Sequence, residues 1–168
     1  MTETYFQNRW YRIYQSETVN TSVIAMRNAV MIVPVLDDGR VILTVEYSPA
    51  FNQWVRILSS GGIEAGEDPA QTANRELQEE TGYKAGRLDL LATFCPFIKY
   101  LNQHLTIFLA RDLQPSKLEG DEGYEIGLDY TTLDDFESLI ASEQIQDSSV
   151  IAALYLARAF IKREAAGK

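Results

Sequence analysis

Glu76, Glu79 and Glu80 fall inside one five-residue window. On a helix, Glu76 and Glu80 lie one turn apart on the same side, with Glu79 beside them. Like charges at this spacing destabilise a bare helix by roughly a few tenths of a kcal/mol per pair. They also sit towards the C-terminal end of their segment, where the helix dipole disfavours negative charge. Stability alone gives no reason for such crowding. A cation does: hard divalent ions such as Mg²⁺ take oxygen ligands, commonly a few carboxylates, waters and substrate phosphate. The competing reading of a run such as RELQEE is a solvated helix face with Arg75 and Glu79 as a surface pair.

The segment that must position these groups is residues 61–83, GGIEAGEDPAQTANRELQEETGY. Asp68 can cap a helix, Pro69 suits the first helical position, and Gln71 stands where a capping box closes. Gly82 reads as the stop, because a left-handed residue there is cheap only without a Cβ. The helix between them spans about 13 residues, a normal globular length. Ala70, Ala73 and Leu77 make its narrow apolar stripe. Gly61, Gly62 and Gly66 let the preceding loop turn and approach the helix closely.

The rest of the chain supplies a frame of strands and two further helices. Residues 29–36, AVMIVPVL, form a short continuous apolar run that reads as a buried strand, and 37–40, DDGR, as a hairpin turn. Strands are expected over 41–47 and 54–58, then over 88–97 with irregular alternation, 105–110 and 124–130. A helix is expected over 132–142 with Leu133, Phe136, Leu139 and Ile140 on one face. Another runs from a cap at Asp147 and Ser148 to about Lys162, with Val150, Ile151, Leu154, Tyr155 and Ile161 inward. At the N-terminus, residues 5–14 carry Phe6, Trp10, Tyr11, Ile13 and Tyr14 and read as one strand, and 18–27 as a second. This pair, within residues 1–28, is too small to fold alone and must pack on residues 29–168 or on another copy. Strands interrupted by one helix and followed by two indicate an α+β fold.

Composition narrows the function classes. The chain has 168 residues, 46% hydrophobic and 23% charged, as expected of one globular domain with a sizeable core. A net charge of −9 argues against a general nucleic-acid binder, which needs Lys and Arg for phosphates. It does not exclude a small anionic substrate, since a bound metal reverses the local field. No apolar run approaches the ~18 residues of a membrane span. The first residues lack an apolar signal core, so a cytoplasmic protein without membrane partners is expected. Cys95 is the single cysteine and reads as packed, and His104, the single histidine, as packed or half-exposed.

The full spacing is more specific than any of these features. Gly61, Glu67, the run Arg75-Glu76-Leu77, the pair Glu79-Glu80 and the pair Gly82-Tyr83 resemble, at each fixed position, the box of the Nudix hydrolases. The resemblance implies a mixed sheet between helices, an α/β/α sandwich, with the box as a loop–helix–loop and the N-terminal strands as an extension. It implies Mg²⁺, with Mn²⁺ as a possible substitute, and cleavage of the pyrophosphate in a nucleoside diphosphate linked to a second group. By position, Glu76 and Glu80 match principal metal ligands, and Glu79 a third carboxylate sharing metal or base duty. The carbonyl of Ser60 or Gly61 matches a backbone ligand. Glu67 and Arg75 match an internal ion pair, with Arg75 orienting Glu76.

Beyond the box the chain is similar to the ADP-ribose and ADP-sugar branch. There an acidic loop supplies a further catalytic glutamate, which places Glu122 first here, with Glu125 and Asp121 behind it. In that branch the N-terminal strands commonly build a homodimer and aromatic side chains hold adenine, making Trp10, Phe6 and Tyr11 candidates. The sequence departs from the branch at Ile57-Leu58-Ser59-Ser60, which lacks its Glu and Pro. It departs again at Ser48, where the branch carries Arg, and at Ile98, where its marker proline falls. Arg56 is a candidate replacement for the missing phosphate contact. Two alternatives remain open: a (deoxy)nucleoside triphosphate pyrophosphatase, and a module that senses a nucleotide without cleaving it.

Overall fold

A computed structural model describes residues 3–120 and 123–167. The N-terminal aromatic stretch is two strands rather than one: β1 (Thr4–Gln7) and β2 (Tyr11–Gln15) pair antiparallel, and β3 (Ser22–Met26) follows. The chain reverses because the Asn8 side-chain oxygen accepts from the backbone N–H of Trp10 at 2.8 Å and Tyr11 at 2.9 Å. This Asx turn competes successfully with continued extension. Next come β4 (Ala29–Pro34), β5 (Arg40–Ser48), β6 (Gln53–Ile57) and the short β7 (Ser60–Gly62). Helix α1 (Pro69–Thr81) leads directly into β8 (Tyr83–Phe94), after which come β9 (Leu101–Asn102), β10 (Leu105–Pro115) and β11 (Gly127–Thr132). Helices α2 (Phe136–Ala141) and α3 (Ser148–Ala165) close the described chain.

The central sheet has the order β7, β4, β10, β8, and it is mixed, because β10 runs parallel to β4 and antiparallel to β8. The apolar run of β4 is continuous because both of its faces are covered. Val30 and Ile32 face one core with Ala73 and Leu77 of α1, while Met31 and Val33 face the other with Ala153 and Leu154 of α3. Strand β10 divides likewise, with Phe108 and Ala110 towards α1 and Ile107 and Leu109 towards α3. The fold is therefore the expected α+β sandwich. A second sheet, β11, β5, β6, continues the frame, and a third joins β1, β2 and β3 to β9.

Several boundaries differ from the sequence reading. Strand β8 begins at Tyr83, five residues earlier than expected, because its first residues pair with the long tail of β10 out to Pro115. Its irregular alternation is a bulge: Ile107 faces Ala92 and Phe108 faces Leu90, leaving Leu91 over. Helix α2 is shorter than residues 132–142. The Thr132 hydroxyl accepts from the N–H of Asp134 and of Asp135, holding that stretch in a turn. Tyr155 is 41% exposed rather than buried: its ring packs edge-on against Phe136, and its hydroxyl donates to Glu137 at 2.7 Å. Among the described residues, no helix is long and apolar enough to cross a membrane.

Candidate active site

Helix α1 starts and stops where its sequence dictates. The Asp68 carboxylate accepts from the N–H of Ala70 at 2.8 Å, Pro69 occupies the first turn, and Gly82 takes a left-handed φ of 80°. Gln71 is exposed, and the cap is made by Asp68. With Ala73 and Leu77 buried in the core, the rotation of the helix is set. That rotation carries Glu76 and Glu80 to its inner side, where they are 8% and 5% exposed, low for carboxylates.

Strand β7 receives them. Its antiparallel pairing with β4, Met31 opposite Ser60 and Val30 opposite Gly61, brings its backbone under α1. The Ser60 N–H donates to a Glu80 carboxylate oxygen at 3.2 Å. The Glu76 carboxylate occupies the space beside Gly61 where a Cβ would stand, so any larger residue there displaces it. Here the glycine answers a close approach rather than a turn.

Arg75 binds the rest of the cluster. Its guanidinium lies 2.8 Å from Glu76, 3.1 Å from Glu79 and 3.2 Å from Glu67. Partial burial works against its charge, but the hydrogen bond to Glu67 and the charges of Glu76, Glu67 and Glu79 outweigh that and raise its pKa. The same hydrogen bond from Arg75 lowers the pKa of Glu67. The loop before the helix and the carboxylates on it are thus held by one cation, the arrangement expected from the sequence.

Two grooves flank these carboxylates. One, of about 410 Å³, is lined by Glu76, Ser60, Gly61, Arg75, Arg27 and Trp10. The other, of about 500 Å³, is lined by Glu79, Glu80, Lys117, Tyr124 and Glu125. Trp10 therefore comes to the carboxylate site from a distant strand turn. Arg56 does not line either groove. It reaches 2.5 Å from Asp129 across the second sheet and faces a third groove, of about 710 Å³, with Phe51 and Trp54.

Residues 25–154 match the family model described as the NUDIX domain. The chain belongs to the Nudix family. It is 35% identical over 136 residues to the ADP compounds hydrolase NudE of Escherichia coli (strain K12), covering 81% of this chain and 73% of that one. It is 29% identical over 134 residues to the ADP-ribose pyrophosphatase of Bacillus subtilis (strain 168), covering 79% and 72%. Among solved structures, a crystal structure of ADP compounds hydrolase superposes with a TM-score of 0.85 at 30% identity, over 98% of this chain and 93% of that one. The chain is thus a Nudix hydrolase, of a family that works with divalent metal.

The donor set suits such an ion. Glu76 and Glu80 are nearly buried carboxylates on one helix, and Glu76 is seated in the recess that Gly61 leaves open. Among the described residues, no three acidic, histidine or cysteine side chains are gathered into a ready ligand shell. Arg75 takes up Glu76 and Glu79, and the Ser60 amide takes up Glu80. Glu122 and Asp121 lie outside the described residues, while Glu125 is exposed at the second groove. Sequence reasoning missed Lys117, which donates to the Glu79 carbonyl at 2.6 Å. A lysine between a proline and an acidic loop carries no periodic signal, and only the tertiary fold brings it to the helix end.

Proposed function

We propose that this Nudix hydrolase cleaves the pyrophosphate bond of a nucleoside diphosphate linked to a second group, with ADP-ribose or an ADP-sugar as substrate. The observation that carries the reading is the pair of nearly buried carboxylates, Glu76 over Gly61 and Glu80 on the Ser60 amide, between two open grooves. The names of two matched enzymes, an ADP compounds hydrolase and an ADP-ribose pyrophosphatase, point to the same substrate class. Mg²⁺, with Mn²⁺ as a substitute, would be held by Glu76, Glu79 and Glu80 with the Ser60 carbonyl. When bound it neutralises phosphate charge and acidifies water.

The chain's own residues do the rest. Arg75 keeps Glu76 and Glu79 in place and limits their mutual repulsion. Glu79, Glu80 and Glu122 are the candidates for accepting a proton from the attacking water. Trp10, with the Arg9 guanidinium 4.2 Å from its ring centroid, offers a face for a nucleobase. Arg56, neutralised by Asp129, serves a substrate only if that pair opens. The exposed Tyr5, Phe6, Tyr11, Ile24 and Met26 of the N-terminal sheet support a homodimer built through residues 1–28.

The test is a panel of ADP-ribose, ADP-sugars, dinucleotides and nucleoside triphosphates with Mg²⁺. AMP release from ADP-ribose or an ADP-sugar is expected. Pyrophosphate release from triphosphates alone would replace this reading with a triphosphate pyrophosphatase. Tight binding without turnover would replace it with a nucleotide sensor.

A further inference from the structure

The C-terminal end of α1 presents an electrostatic problem that the helix's own Arg75 meets at the Glu79 carboxylate but not at the terminal carbonyls. Glu79 and Glu80 lie in its last turn, at the negative end of the dipole, and that turn contains no basic residue. The compensation comes from another element. Just past the end of β10, three consecutive residues bind the helix end: the Ser116 N–H donates to the Gly82 carbonyl at 2.7 Å and its hydroxyl to the Gln78 side chain at 2.8 Å. The Leu118 N–H donates to the Gln78 carbonyl at 3.3 Å. Between them, Lys117 donates its ammonium to the Glu79 carbonyl at 2.6 Å.

Lys117 is also the one basic residue among the described residues lining the groove that holds Glu79 and Glu80. The chain that follows it returns to the same groove through Gly120, Tyr124 and Glu125. We infer that Lys117 is a positioning residue for hydrolysis: its ammonium locks the last turn of α1 to residues 116–118. It thereby sets where Glu79 and Glu80 stand in the groove that all three residues line. The inference rests on the proposed function for its kinetic readout, and only on the Lys117–Glu79 contact for its structural one.

Two variants and two measurements test it. Lys117→Met keeps the unbranched apolar stem and removes the ammonium, and Lys117→Arg keeps the charge. On ADP-ribose with Mg²⁺, Lys117→Met is expected to lower kcat by about tenfold with KM changed less than about threefold, and Lys117→Arg to restore most of the loss. In the metal-free protein, amide hydrogen exchange in the last turn of α1 and at residues 116–118 is expected to quicken at least about fivefold in Lys117→Met, with other helices unchanged. A rise in KM at constant kcat would overturn the inference by making Lys117 a substrate contact. Unchanged exchange would overturn it whatever the kinetics. If the wild type cleaves no member of the substrate panel, the proposed function fails, while the exchange comparison still decides the lock.

Discussion

At Gly61 the space of a single missing Cβ is filled by the carboxylate of Glu76, a candidate metal ligand. The atom that a methyl group would meet is the tip of Glu76, a flexible side chain, rather than backbone. Gly61→Ala is therefore expected to fold, with a stability loss of about 1–3 kcal/mol, because Glu76 can swing away but leaves a nearly buried seat beside Arg75. Activity should fall by at least about 30-fold, since the displaced group is a candidate metal ligand. Thermal melts and kcat/KM measured on the same preparation check the split. A variant that keeps full activity would mean that Glu76 is not needed where it stands.

Arg75 is a residue whose chemistry is legible in the sequence. The box resemblance implies an Arg75–Glu67 pair with Arg75 orienting Glu76, helical spacing puts Glu79 within reach, and the observed distances follow. Arg56 is less legible. Its nearness to the box in sequence does not reveal its Asp129 partner, which its register in β6 supplies, beside the groove lined by Phe51 and Trp54. The pKa of Asp129 is lowered: burial opposes its charge, and the Arg56 hydrogen bond, the Tyr130 N–H and the Arg56 charge together outweigh that.

Among the elements, α1 is the most legible in the sequence, because its cap, proline and terminal glycine are local signals. Long-range pairing hides the rest. The early start of β8 depends on the tail of β10, and the split of β1 from β2 on one Asn8 side chain. Helix α3 combines both kinds of control. Its N-terminus is capped by Asp147, whose carboxylate accepts from the N–H of Ser149 and Val150. Asp147→Ala is expected to cost about 1 kcal/mol, measured by urea unfolding, with kcat unchanged. A loss near zero would show that α3 is held by packing alone.

The other end of α3 is tied to the central sheet. Glu164 pairs with Arg111 at 2.5 Å and Arg87 at 2.8 Å, and Arg111 reaches Asp89 at 2.6 Å. The Arg111 hydrogen bond, followed by that of Arg87, holds the Glu164 carboxyl down at about 2. A carboxylate with a pKa lower in the folded state contributes stability that is complete above its unfolded value, about 4.3. That contribution is lost as pH falls towards 2. Glu164→Gln should therefore melt below the wild type at pH 6, and the gap should narrow as the pH is lowered below about 4 and close near 2. A gap independent of pH would contradict the assignment.

For the molecule as a whole, the two-sided core and the exposed N-terminal sheet make different demands. The core around β4 and β10 is closed by α1 and α3 and needs no partner. The strands β1, β2 and β3 are mostly exposed and carry large apolar side chains. Sedimentation is expected to give about twice the chain mass for the wild type, and a shift towards the monomer when Phe6 and Tyr11 are both changed to Lys. A wild-type monomer at micromolar concentration would remove the dimer from the proposal.

Whether the carboxylates of α1 serve hydrolysis or only solubility is decided most directly by one comparison. AMP release from ADP-ribose under Mg²⁺ is measured for the wild type and for Glu80→Gln, side by side. Release is expected from the wild type, and from the variant a rate lower by about two to three orders of magnitude with a melting temperature near the wild type's. Equal rates in the two proteins would contradict a catalytic role for this helix.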